Sequence, residues 1–158
     1  MANQTKSTLL NYRRGILTFI LSYIVITILA FALYLVIAAF MGASQSATFD
    51  IREDRAYALA EQLYPILNLG VWITFAWMYF RQAVRPTIRH AWALGSFWLA
   101  IAIPLDLIYF VLIPNPLQVS AQGFYIEQFP WIYFTYIVVL IAPALYIAMK
   151  QRRENKVV

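Results

Sequence analysis

Cysteine is absent and histidine occurs once, which removes a block of chemistry before any motif is sought. Disulfides, thiol nucleophiles, thiolate metal sites and palmitoyl anchors all need a sulfhydryl. One imidazole and scattered carboxylates do not make a transition-metal ligand set, so no metal centre is expected. Acidic residues number only seven, and Asp50, Glu53, Asp54 and Glu61 lack the spacing of a calcium loop, so they read as a solvated helix face. There is no G-x-S-x-G, no H-E-x-x-H, no phosphate-cradling glycine loop and no internal repeat. The single histidine, His90, stands beside Arg89 and Trp92 at the expected end of a membrane span, where a solvated interfacial imidazole is the simplest reading. No catalytic residue and no cofactor is implied, and a non-enzymatic protein is the expectation.

Charge is also scarce. Only 12% of residues are charged and 63% are hydrophobic, against roughly 25% charged in a soluble domain. Ten of the twelve Lys and Arg residues fall in three clusters: Lys6, Arg13 and Arg14; Arg81, Arg85 and Arg89; Lys150, Arg152, Arg153 and Lys156. Between them lie four apolar stretches, 15–40, 63–80, 91–113 and 129–149, each near the ~20 residues that cross a bilayer. Basic loops stay in the cytoplasm. The chain therefore reads as one all-α membrane domain over 1–158, an up-down-up-down bundle of four transmembrane helices with both termini and the Arg81 to His90 loop inside. Thr48 to Gln62 and Pro114 to Gln128 fall outside. The net charge of +5 is juxtamembrane and divided among loops, which argues against nucleic acid as a partner. Arg13, Arg14, Arg81, Arg85, Arg89, Lys150, Arg152 and Arg153 are instead candidates for anionic lipid headgroups. The first apolar run is too long for a cleaved signal, so it reads as a retained anchor.

The outer segment before the second span has helix-forming composition, with Asp50 and Glu53 at capping-box spacing, and predicts a short outer helix from Arg52. That helix either lies along the interface or continues the crossing, with a bend at Pro65. The short inner loop makes spans two and three antiparallel neighbours, and Pro130 suits the first turn of the fourth span. Trp72, Trp77 and Trp98 lie deeper than an interfacial aromatic belt and are expected to pack between helices.

One residue departs from the apolar pattern. Asp106 is the only acid inside a span, where an ionisable side chain costs about 2.5 to 3.5 kcal/mol and faces the bundle interior or water. Counting from the outer ends of the runs puts Tyr34, Asn68, Thr135 and Tyr136 at its depth, roughly 10 Å in. Asn68 has an amide that can donate to the carboxyl, a tyrosine hydroxyl can complete the shell, and Pro104 leaves the Ala100 carbonyl free. Two readings stay open: a polar clamp between helices, and an outward-facing pocket for a proton, a cation or a polar ligand group. The functional expectation is a small binding or accessory membrane protein centred on Asp106, engaging another membrane protein or its own copies. The alternatives are a homo-oligomeric transporter or channel subunit using Asp106, and a membrane enzyme. Short loops and the lack of an outer glycosylation sequon suggest a bacterial plasma membrane.

Overall fold

A computed structural model describes residues 10–41, 55–83, 86–114 and 118–155, and among them there are helices and no strands. Four helices, α1 (Tyr12–Phe40), α2 (Arg55–Phe80), α3 (Ile88–Asp106) and α4 (Trp131–Glu154), dominate the chain. Two π-helical turns, Leu107–Leu112 and Gly123–Glu127, flank the connection between α3 and α4. With Leu107–Leu112 extending α3, all four helices are long and apolar enough to cross a bilayer.

Local chemistry sets the helix starts. Asn11 caps α1 by accepting the Arg14 amide at 3.1 Å, and Thr87 caps α3 by accepting the His90 amide at 3.2 Å. The short outer helix and the second span are one element, because α2 runs unbroken from Arg55 through Pro65 to Phe80. The helix formers before Pro65 carry the helix back to Arg55, and the proline removes a single donor rather than ending it. The Asp50 and Glu53 cap lies outside the described residues, as do Lys6, Arg85 and Lys156. At the other boundary α4 continues five residues past Met149, where Arg152 and Arg153 suit a helix C-terminus. Pro130 is the residue just before the first turn of α4, one position earlier than expected.

Chain direction alternates between crossings. The amide of Asn11 at the start of α1 donates to Tyr79 near the end of α2, Tyr79 meets His90 at the start of α3, and Phe80 stacks on Tyr146 near the end of α4. The neighbours are not the expected ones, however. The closely packed pairs are α1 with α2, α2 with α4 and α3 with α4; α1 and α3 touch more loosely. Spans two and three therefore face each other across the diagonal instead of lying side by side. Residues 81–87 link them.

That diagonal is filled by indoles. Trp72 of α2 and Trp98 of α3 are fully buried with ring centroids 5.0 Å apart, and Phe19 of α1 lies 5.6 Å from Trp72. The Trp98 Nε1–H donates to the Gly15 carbonyl at 2.9 Å, satisfying that ring's one polar atom. Trp77 departs from expectation: it is 46% exposed and points away from the core. α3 and α4 approach closely through small residues. A methyl group at Gly95 would lie 2.1 Å from the Leu140 carbonyl oxygen, so only glycine fits.

A polar pin closes the end where α1 and α3 begin. Arg14 reaches the Met78 carbonyl and the Gln82 side chain, the latter at 2.5 Å, and its guanidinium lies 5.8 Å over the Tyr79 ring. It caps the last turn of α2, so Arg14 is turned into the protein rather than toward headgroups. His90 likewise is not a freely solvated imidazole. It packs edge-on against Tyr79 and Phe80, and its Nε2 sits 3.1 Å from the Tyr79 hydroxyl.

Candidate functional site: a carboxyl held by three helices

Asp106 is the last residue of α3, where the helix widens into the π-helical turn Leu107–Leu112. Such widenings are frequent at functional positions, and here Pro104 has already removed one backbone donor from the preceding turn. The side chain points inward and is only 8% exposed. The Tyr23 hydroxyl of α1 donates to Oδ1 at 2.6 Å, and the Tyr136 hydroxyl of α4 donates to Oδ2 at 3.0 Å. One carboxyl thus fastens α1, α3 and α4.

The remaining partners surround this centre. Tyr125, on the π-helical turn Gly123–Glu127, places its phenol beside that of Tyr136. Burial holds the Tyr125 phenol above its ordinary value; the contact with Tyr136 pulls it back, and the Asp106 charge raises it again. Tyr64 of α2 lies within electrostatic reach of the same carboxyl. Among the described residues, no cationic side chain pairs with Asp106. No group of three His, Cys, Asp or Glu side chains converges among those residues.

The five residues expected from sequence divide. Tyr136 binds Asp106 directly. Asn68 is 1% exposed and shares the level: on α1 and α2, Asn11 meets Tyr79 and Phe19 meets Trp72, a register that sets Tyr23 opposite Asn68. Its bonds stay within α2, however. Nδ2 donates to the Tyr64 carbonyl at 2.9 Å and Oδ1 accepts the Trp72 Nε1–H at 3.2 Å, so the amide steadies the buried indole instead of donating to the carboxyl. Thr135 donates back to the Trp131 carbonyl at 3.2 Å, a bond within its own helix. Tyr34 lies eleven residues beyond Tyr23 on α1, about 16 Å along the axis, too far for the same layer.

Tyr23 and Tyr125 are the members that sequence reasoning missed. α1 has 29 residues, or about 43 Å, against a hydrocarbon core of ~30 Å, so counting depth from Phe40 overshoots. Tyr125 sits in what reads as a connecting loop. Its signal is the run Gly123-Phe124-Tyr125-Ile126, too aromatic and apolar for a solvated connection.

Beneath the carboxyl, Phe19, Trp72 and Trp98 close the interior. The polar centre thus stands above an aromatic layer. Comparison with family models, with curated proteins and with solved structures finds no match.

Proposed function

We propose that this chain is a non-enzymatic binding or accessory protein of a cell membrane, bacterial by its architecture, with its basic ends cytoplasmic and Asp106 as its working group. In this reading the carboxyl takes up one positive charge from the outer side, as a proton or a small monovalent cation, and couples that load to the packing of α1, α3 and α4. The observation that carries it is a buried carboxyl held by hydroxyls of two other helices, with no cationic side chain set against it among the described residues. Leaving a carboxylate buried and uncompensated costs several kcal/mol, so a proton, an ion or a cationic ligand group must balance it. The π-helical turn that carries Tyr125 brings a third phenol beside Tyr136, which supports a centre lined by hydroxyls. The aromatic plug disfavours transport through one copy.

The test is thermal unfolding of the purified protein in mild detergent. Sodium or tetramethylammonium is titrated against N-methylglucamine at constant ionic strength, and pH is varied in parallel. The wild-type midpoint should move with cation or with pH, and Asp106→Asn should remain folded with that response abolished. A wild type indifferent to both, or an Asp106→Asn variant that responds as the wild type does, would reduce Asp106 to a clamp.

A further inference from the structure

We propose that the groove between α2 and α4, at the ends carrying Arg81 and Arg153, seats one anionic phospholipid. Trp77, Tyr146 and Met149, with Ile73 above them, form its apolar wall, and Lys150 and Arg153 stand at its rim. The wall faces outward: Trp77 and Met149 are each close to half exposed. On a helix face that borders the bilayer, the medium beside such a wall is acyl chain. From Ile73 to Arg81 is eight residues, or about 12 Å, so a chain laid on this wall ends at the basic rim.

The rim selects the headgroup. Lys150 and Arg153 are three residues apart on one face of α4, and the Arg81 guanidinium lies 5.6 Å from the Trp77 ring centre on the facing helix. The aliphatic stem of Lys150 can follow the apolar wall while its ammonium stays at headgroup level. Glu154 is the one acid at this rim, 3.8 Å from Lys150 as an exposed pair that contributes little. Three cations against one carboxylate leave the rim positive, which suits a phosphodiester and not a zwitterion that brings its own cation. Arg14 by contrast is engaged by the Met78 carbonyl and the Gln82 side chain. Basic recesses between membrane helices are a known physical basis for headgroup recognition. The inference is independent of the role given to Asp106.

The probe is an equimolar mixture of phosphatidylglycerol and phosphatidylcholine with identical acyl chains. It is added to delipidated protein in neutral detergent, and retained lipid is counted by native mass spectrometry. One phosphatidylglycerol should be retained in preference, with about fivefold loss of that preference for each of Lys150→Gln and Arg153→Gln. Glu154→Gln should strengthen it. Trp77→Ala should weaken retention of both lipids alike, and deacylated glycerophosphoglycerol should not compete. An unchanged unfolding midpoint establishes that the rim variants are folded. Equal retention of the two lipids, competition by the deacylated headgroup, or an equal loss from Arg13→Gln, on an exposed arginine of α1, would each overturn the proposal.

Discussion

Replacing Gly95 by alanine tests whether the Asp106 centre depends on the closest helix contact in the bundle. The added methyl would sit 2.1 Å from the Leu140 carbonyl oxygen and 2.9 Å from its carbon, and side-chain Cβ atoms essentially never approach nearer than 3.0 Å. The obstacle is backbone, so no rotamer change relieves it. α3 and α4 must move apart by close to the 0.9 Å between 2.1 and 3.0 Å. Tyr136 stands on α4 one turn from Leu140, and its bond to Asp106 is 3.0 Å long. The same displacement carries it past the ~3.5 Å at which a hydrogen bond is lost. Overpacking of this kind costs about 1 to 3 kcal/mol, and the lost interhelical bond adds roughly 0.6 kcal/mol.

The assay is a double-mutant cycle on unfolding free energy in mild detergent, using Gly95→Ala and Tyr136→Phe. Tyr136→Phe alone removes only the hydroxyl and should cost about 0.6 to 1.7 kcal/mol, the range found for interhelical bonds in membranes. In the Gly95→Ala background its cost should fall to near zero, because the bond is already broken. Additive losses would refute the reasoning, since they would mean that α3 and α4 absorb the methyl without disturbing the carboxyl.

Tyr23→Phe should destabilise by an amount similar to Tyr136→Phe, and the pair should cost more than either alone, read by unfolding of the double variant. Trp98→Phe removes the indole N–H bond to the Gly15 carbonyl, which keeps the Thr18 hydroxyl, and thins the aromatic plug, so about 0.5 to 3 kcal/mol should be lost in the same assay. Arg14→Gln removes the cap on α2 and should cost about 1 kcal/mol, with faster amide exchange confined to the last turn of α2. Single cysteines at Ser44, Thr87, Gln122 and Asn155 in the cysteine-free background should label from outside intact cells only at Ser44 and Gln122. Labelling at Thr87 would overturn the orientation.

The fold was legible where a local signal fixes it. Apolar runs bounded by Arg13 and Arg14, Arg81 and Arg89, and Lys150 and Arg153 mark four helices, with α2 beginning eight residues before its run. Depth matching succeeded for Asp106 and Tyr136, which the Tyr136 hydroxyl joins directly. It failed for Tyr34 because α1 and α3 are staggered. The bonds Gly15 to Trp98 and Tyr23 to Asp106 share a sequence separation of 83, so the two helices run parallel in a fixed register. No residue near either helix end announces that register. It comes from where Trp98 can bury its ring and still find a carbonyl, a tertiary condition.

The diagonal placement of α2 and α3 has the same origin, and it explains why the polar centre survives inside an apolar bundle. Side-by-side packing of those helices would put Trp72 and Trp98 at an edge, whereas the diagonal sends both into the middle. Once the indoles occupy the middle, Asn68 is needed to satisfy the Trp72 N–H and is withdrawn from Asp106. The carboxyl is left to the hydroxyls of α1 and α4, which approach from opposite sides of α3. The aromatic layer therefore decides which helices the acid couples. A change in the load on Asp106 acts first on the hydroxyls of α1 and α4, whereas α2 meets α1 lower down, through Arg14, Tyr79 and Trp72. Hydrogen exchange should register it accordingly: Asp106→Asn should alter protection around Tyr23 and Tyr136 and leave the stretch from Trp72 to Tyr79 unchanged. An equal change along α2 would show that the helices respond as one rigid block.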